Sequence, residues 1–334
     1  MTHLFFRRPY FSLCLSAILT ACAGGGTVEI PQSIVPIPTL SALDPGHPDI
    51  AGQTPDIKLQ TFNTGTGQPG KIESWQVKED GLFGPSLKNK LAYRTPDGNV
   101  YLFSTYTDPI VPNSFHPDQS LKTRHDAQPT DNGGKLFVCC GNSSQSSNFK
   151  ATQIGDYLRY GTWIDKNGTA DLFVGGMLAD PAQMQGASDN DGHAKGKATY
   201  EVWALRTKNG ETVSSSYDNS NREHPIKSEI TVNFNTGKLG GKIIGNPDFG
   251  ADIDFQDVNV TGNRFHGSAL SDGKEGQVEG GFFGKSSWYS PAGQEIGGKV
   301  TFAPDHRLDS VFGGAIEGRR WNTEDTSTDL TPLK

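Results

Sequence analysis

The second half of this chain is a series of short apolar–polar alternations broken by tight turns and paired glycines. That pattern leaves few folds open. Residues 200–206, 228–234, 239–244, 253–255, 258–260, 263–269, 276–284, 295–302 and 311–316 each read as a strand or part of one. A period of two sends successive side chains to opposite faces, so each run has one face to bury. Roughly eight such strands joined by short turns predict a closed up-and-down antiparallel β-barrel. Its interior is filled by Val, Ile and Phe and its outside is wet, without the lipid-facing band and aromatic girdles of a membrane barrel. The pairs Gly240-Gly241, Gly280-Gly281, Gly297-Gly298 and Gly313-Gly314 fit places where coiled strands leave no room for a side chain.

Upstream, residues 71–190 read as a small β-rich handle domain with one or two short helical turns. Pro96-Asp97-Gly98-Asn99 and Asp165-Lys166-Asn167-Gly168 are hairpin turns between apolar runs. Residues 107–134 form a long polar loop, and loops of that length inside a domain are usually functional or disordered. The whole chain is therefore expected to be all-β, a handle at 71–190 followed by a barrel at 191–320 and a tail at 321–334. Its 41 glycines and 20 prolines suit many turns and argue against a helical bundle.

The first residues have a different character. Arg7 and Arg8 precede an apolar stretch that ends at Leu19-Thr20-Ala21-Cys22-Ala23-Gly24. A basic start, a short apolar core and small residues before a cysteine make a secretory leader of the bacterial lipoprotein type, residues 1–21. Cys22 would become the first mature residue and carry the lipid, the chain's sole hold on a membrane. Ala23 weakly favours the outer membrane as destination. Residues 22–70, rich in Pro, Gly, Thr and Asp without sustained period, read as a flexible tether.

Thirty basic against 37 acidic side chains give a net charge of −7, and losing Arg7 and Arg8 makes it more negative. Nucleic acid is therefore not an expected partner. With Cys14 removed and Cys22 lipidated, Cys139 and Cys140 remain. An oxidising compartment favours a vicinal disulfide between them that locks a turn; a thiol pair is the alternative. A metal site is disfavoured, because adjacent thiolates lack ligand spacing.

Several of these segments resemble one known family. Val138-Cys139-Cys140, Tyr157-Leu158-Arg159-Tyr160-Gly161, Glu229-Ile230-Thr231-Val232-Asn233-Phe234 and Gly237-Lys238-Leu239-Gly240-Gly241-Lys242 are similar to transferrin-binding protein B-like surface lipoproteins. So are Thr261-Gly262-Asn263-Arg264-Phe265-His266-Gly267 and Gly280-Gly281-Phe282-Phe283-Gly284. The resemblance covers about residues 135–318 and leaves room for one lobe, as in the family's single-lobe haemoglobin–haptoglobin-binding lipoproteins. It implies a handle before an eight-stranded barrel. It further implies an outer-membrane lipoprotein that binds a host iron- or haem-carrying protein, haemoglobin first and transferrin second, and supplies a TonB-dependent transporter. A complement factor H-binding lipoprotein and a free-haem-binding protein are the alternatives the same resemblance leaves open.

No catalytic motif of the zinc-protease, P-loop, nucleophile-elbow or dinucleotide type occurs, so binding is expected and catalysis is not. No cofactor is expected beyond haem as a ligand. Trp288 and Tyr289, in a long turn, are candidate partner contacts, since exposed aromatics dominate interface hot spots; folding back as a barrel cap is the alternative. Phe115 and His116, in the long first-domain loop, form a second candidate patch or a plain surface loop. His116 and His125 are the candidate haem ligands, against solvated loop residues.

Overall fold

Residues that alternate in the sequence pair as strands almost wherever they occur. A computed structural model of the chain describes residues 37–54, 59–81, 84–103, 122–139, 157–186, 193–218, 220–221, 223–286 and 291–334. The expected leader 1–21 and the expected lipidation site Cys22 lie outside the described residues. No α-helix occurs among those described, and two single turns of 3-10 helix are the helical content.

The handle begins with β1 (Ile50–Gln53), β2 (Leu59–Gly65), β3 (Lys71–Gly81), β4 (Gly84–Arg94) and β5 (Val100–Leu102). It continues with β6 (Arg124–His125), β7 (Gln128–Pro129), β8 (Lys135–Cys139), β9 (Leu158–Ile164) and β10 (Ala170–Met177). One sheet has the order β1-β3-β4-β5 and a second β2-β10-β9-β8-β7. Between them, Ile72, Tyr93 and Tyr101 pack on Leu136, Trp163 and Phe173, and the Tyr93 and Phe173 rings stack at 4.4 Å. Asp171, 1% exposed, ties the two sheets together. It accepts hydrogen bonds from the Tyr93 hydroxyl at 2.6 Å, the Gly70 N–H at 2.9 Å and Asn63 Nδ2 at 2.9 Å. Burial pushes its carboxyl up to about 6 against the opposing pull of these donors.

Within the expected tether at 22–70, the described residues from 37 onward are instead built into the sheets, while 22–36 lie outside the described residues. β1 pairs with β3, β2 pairs with β10 along its whole length, and the Leu40 and Leu43 N–H groups bond Pro129 O and Val100 O. The prolines hide this structure because they interrupt alternation, while their neighbours supply the backbone donors.

The barrel comprises β11 (Lys197–Lys208) and β13 (Ser228–Asn233) to β19 (Ser310–Asn322), closed by pairing of β13 with β11. The strands between are β14 (Lys238–Ile243), β15 (Ile253–Thr261), β16 (Arg264–Ser271), β17 (Lys274–Phe283) and β18 (Glu295–Thr301). A short β12 (Glu211–Ser214) links the far end of β11 to β6 and is too polar to read from the sequence. The runs 253–255 and 258–260 prove to be one strand, β15. A bulge between Gln256 and Asn259, with Asp257 at φ 44°, breaks their alternation. Tyr200, Val202, Ile230, Val232, Phe265, Phe282, Ile296, Val300 and Phe312 are among the buried side chains of the barrel core.

Handle and barrel share a second core. Phe62, Leu158, Tyr160, Leu172 and Val174 pack with Trp203, Leu205, Phe283 and Val311, and residues 37–334 form one compact unit. The paired glycines explain the fit. A Cβ on Gly313 would run into the Tyr160 ring, and one on Gly297 would meet Val174 and Leu158.

The segment after β19 does not hang free as a tail. Lys197 Nζ lies 3.2 Å from Asp329 Oδ1 and 3.5 Å from Asp325 Oδ2, and Asn233 Nδ2 donates to Ser327 O at 2.7 Å. The Leu333 N–H donates to Thr199 Oγ1 at 2.8 Å, and Arg320 Nε to Leu333 O at 2.8 Å. This strap lies across β11 and β13 at the barrel's closing pair and buries polar groups of the outer wall.

Ending the chain at Asn322 should therefore cost about 2–4 kcal/mol, since several buried donors lose partners. Urea unfolding of the shortened and full chains measures it; equal midpoints would show that the strap holds nothing. For Asp171, the native carboxyl binds its proton more tightly than the unfolded chain's ordinary 3.8. Its contribution is complete below about pH 4 and is lost as pH rises through about 6, a swing of about 3 kcal/mol. Stability curves of the wild type and Asp171→Asn from pH 4 to 7 should differ by that slope, the wild type losing ground as pH rises.

Candidate binding surface

β3 and β4 pair from Lys71↔Arg94 to Gly81↔Gly84, but their sheet neighbours are short. β1 flanks only Trp75 to Val77, and β5 only Ala92 to Arg94. The distal half of this hairpin therefore stands out as a two-stranded ribbon, exposed on both faces, with Leu87 55% exposed. Two strands alone are marginal in water, so the ribbon depends on its base. There, buried Glu73 receives Arg94 Nε at 2.7 Å and Nη2 at 2.9 Å, with Lys71 Nζ at 2.8 Å. Burial alone would raise this carboxyl, but the Arg94 and Lys71 contacts bring it down to about 2. Lys78, Lys88, Lys90, Glu79 and Asp80 line the exposed part, as charges that keep open edges from pairing indiscriminately. The ribbon was not singled out from the sequence; the turn signal Gly84-Pro85 after an alternating run was its one trace.

A second feature lies at the barrel end where β11 begins. The Met177 N–H donates to Tyr157 O at 2.9 Å, and Met177 O accepts from the Gly284 N–H at 3.0 Å. Ser286 Oγ donates to Gln183 Oε1 at 2.9 Å, and the Ala292 N–H to Gln183 O at 3.1 Å. Segments 140–156 and 287–290 thus leave the framework from one place. Trp288, Tyr289 and Cys140 belong to these segments and lie outside the described residues.

Phe115 and His116 also lie outside the described residues, and the return of their loop is at the opposite end of β11. Thr123 O accepts from the Ser214 N–H at 2.9 Å, and Arg124 Nε donates to Asp248 Oδ1 at 2.7 Å. The returning end of this loop is therefore carried to the far rim by the pairing of β6 with β12.

His125 is buried in the joint between handle and barrel. It is 5% exposed, 2.8 Å from Ser214 Oγ through Nε2, and packed between the rings of Phe137 at 4.8 Å and Trp203 at 5.1 Å. The β6–β12 pairing that follows its loop turns the side chain into the joint between handle and barrel. This corrects its candidacy as a haem ligand. Cys139 is buried and disulfide-bonded, and the chain's other cysteines all lie outside the described residues. The Tyr160 hydroxyl lies 3.1 Å from its sulfur and donates to it. Among the described residues no group of three or more His, Cys, Asp or Glu could hold a metal ion.

His125→Ala should thus act on stability, losing about 2–4 kcal/mol from a vacated aromatic site, while partner binding is unchanged. Thermal unfolding and a binding assay on the same sample separate the two; lost binding in a stably folded variant would contradict the structural role.

Known proteins can now be set beside this architecture. The family described as haemoglobin-haptoglobin utilisation, porphyrin transporter (HpuA) matches residues 89–333. The apo crystal structure of the haemoglobin receptor HpuA from Kingella denitrificans is 39% identical, covers 90% of this chain and 99% of its own, and has a TM-score of 0.78. The same receptor in complex with human haemoglobin is 39% identical, covers 90% of this chain and 100% of its own, with a TM-score of 0.79. Transferrin-binding protein B of Moraxella catarrhalis is 34% identical over 131 residues, 32% of this chain and 17% of that much longer protein. With a handle, a single closed barrel and a family match spanning most of its length, the chain belongs to the HpuA family of haemoglobin-haptoglobin utilisation proteins.

Proposed function

We propose that this protein is a surface receptor that captures host haemoglobin and presents it for haem-iron uptake. The observation that carries the reading is the nearly end-to-end likeness to a receptor whose solved complex holds human haemoglobin. The architecture suits the task. A closed barrel with a handle fused to its wall is a rigid platform, and binding residues are disproportionately found on loops that such platforms carry. Capture of a protein needs on the order of 1,200–2,000 Å² of buried surface, more than a single loop supplies. The ribbon of β3 and β4 and the Trp288–Tyr289 segment are the two contributions we assign to it. Haem arrives as cargo on the captured protein, and no resident cofactor is required.

The Leu19-Thr20-Ala21-Cys22 motif supports a lipid anchor at Cys22 in the outer membrane, and the acidic mature chain supports anchoring through that lipid alone. A TonB-dependent transporter is the recipient in this scheme, because a lipid-anchored barrel of this kind has no channel across the membrane. Transferrin is the second ligand, favoured by the local likeness to a transferrin-binding protein.

The test is retention of haemoglobin, haptoglobin–haemoglobin and transferrin on full-length protein held in detergent. Haemoglobin should be retained, and the pair Trp288→Ala and Tyr289→Ala should weaken it at least about 30-fold, the scale of a true hot spot. Leu87→Asp on the ribbon should weaken it as well, with an unchanged circular dichroism spectrum. Retention of transferrin without haemoglobin would reverse the order of ligands. Retention of neither would end the nutrient-capture reading.

A further inference from the structure

One buried donor in the handle lacks a protein partner. Trp163, on β9, is 4% exposed and stacks on the Tyr101 ring at 5.9 Å. A buried indole N–H ordinarily finds an acceptor. That of Trp163 has none among the described residues, yet it is not sealed from solvent. Trp163 lines a cleft of about 340 Å³ at one end of the handle. Gly134 stands against the six-membered edge of its ring, where a Cβ would come within 2.3 Å of Trp163 Cη2. The position that would cover this edge therefore carries no side chain.

Four connections build the cleft: 66–70 between β2 and β3, 95–99 between β4 and β5, 130–134 between β7 and β8, and 165–169 between β9 and β10. Three of them are fixed by their own Asp or Asn side chains. Asp97 accepts from the Thr95 hydroxyl and from Asn99 Nδ2 at 3.1 Å. Asn132 Oδ1 accepts from the Thr130 hydroxyl at 2.8 Å, and Asp165 Oδ1 from the Asn167 N–H at 2.8 Å. Asn132 Nδ2 ties two turns together by donating to Asp97 Oδ2 at 3.2 Å, and the Gly67 N–H donates to Ala170 O at 2.7 Å. The walls are set before anything binds.

The lining selects the chemistry of the ligand. Asp97, Asp165 and Asp171 repel an anion, and Lys166 is the single cation among the described residues of the lining. The carboxylates already receive donors from the protein, Asp171 at the floor from Tyr93, Gly70 and Asn63, so they do not require a cation. What remains open is mixed: the Trp163 N–H and Lys166 Nζ can donate, Asn167 Oδ1 can accept, and the Gln68 amide can do both. Pro96 and the Trp163 edge add an apolar strip. A ring with hydroxyls and a C–H face satisfies such a set, since each hydroxyl both donates and accepts. We propose that this end of the handle is a carbohydrate site seating one neutral pyranose ring of a glycan, with Trp163 Nε1 donating to a sugar hydroxyl. The inference goes beyond haemoglobin capture and does not depend on it, because the cleft shares no residue with the ribbon or with the Trp288–Tyr289 segment.

The chain has five tryptophans, so the N–H spectrum of isotope-labelled full-length protein, held in a detergent without a sugar headgroup, carries five indole signals. The signal missing from Trp163→Phe belongs to Trp163. Titration with the methyl glycosides of glucose, galactose, mannose and N-acetylglucosamine should move that signal for at least one of them. The dissociation constant should be on the order of 1 mM, the scale that one small ring allows. Gln68→Ala, at an exposed position, should keep all five signals and weaken that sugar about 5-fold, the loss of one hydrogen bond. Haemoglobin retention by Gln68→Ala stays at the wild-type level, so failure of either reading is seen separately. A Trp163 signal that none of the glycosides moves at about 10 mM would overturn the assignment. So would a response to glucosamine and putrescine alone, which would mark a cation site, or a sugar affinity untouched by Gln68→Ala and Asn167→Ala together.

Discussion

The handle's Tyr160, Leu158 and Val174 press against a barrel wall from which glycine has removed the side chains, and the rest of the molecule is organised around that contact. At Gly313 and Gly297 the outer wall is bare backbone, so β9 and β10 approach closely enough for Tyr160 to be wholly buried. Close packing at this seam forms a core in which even a methyl group would have to displace an aromatic ring. Trp203, Leu205 and Val311 of the barrel complete it. The handle is therefore not a separate module on a hinge, and the loops that leave both parts are held in a common frame.

The frame has consequences for binding. Met177 stitches the start of the barrel's β17–β18 turn to the end of the handle's β8–β9 loop, so two chain-distant segments issue from one rim. The opposite rim is closed by Arg206, whose charge is satisfied by carbonyls, hydroxyls and the Phe249 ring. Burial draws that guanidinium down to about 10, so it stays cationic at neutral pH. The two rims are thus held at different ends of one compact unit.

How far the sequence could be read varies with the range of the interactions involved. The barrel strands were legible almost residue by residue, because a half-buried strand advertises itself through local alternation. Misreadings fell where local pattern and pairing part company. The bulge at Asp257 split one strand into two apparent ones. Prolines masked β1 and β2, and the polar β12 resembled a loop. His125 lies in a polar stretch and looked solvated, yet its partners Ser214 and Trp203 are some 80 to 90 positions away in the chain.

Alternation, turn chemistry and glycine pairing by themselves determined an all-β chain with a barrel in its second half, since a period of two admits no other regular structure. The leader pattern likewise needed no third dimension to be noticed. Tertiary structure alone decided which glycines face the handle and which histidine is sealed in a joint. It also decided that the last residues strap the closing pair of strands. Those outcomes depend on contacts between segments far apart in the chain, and their energy comes from burial, which no single segment can establish for itself.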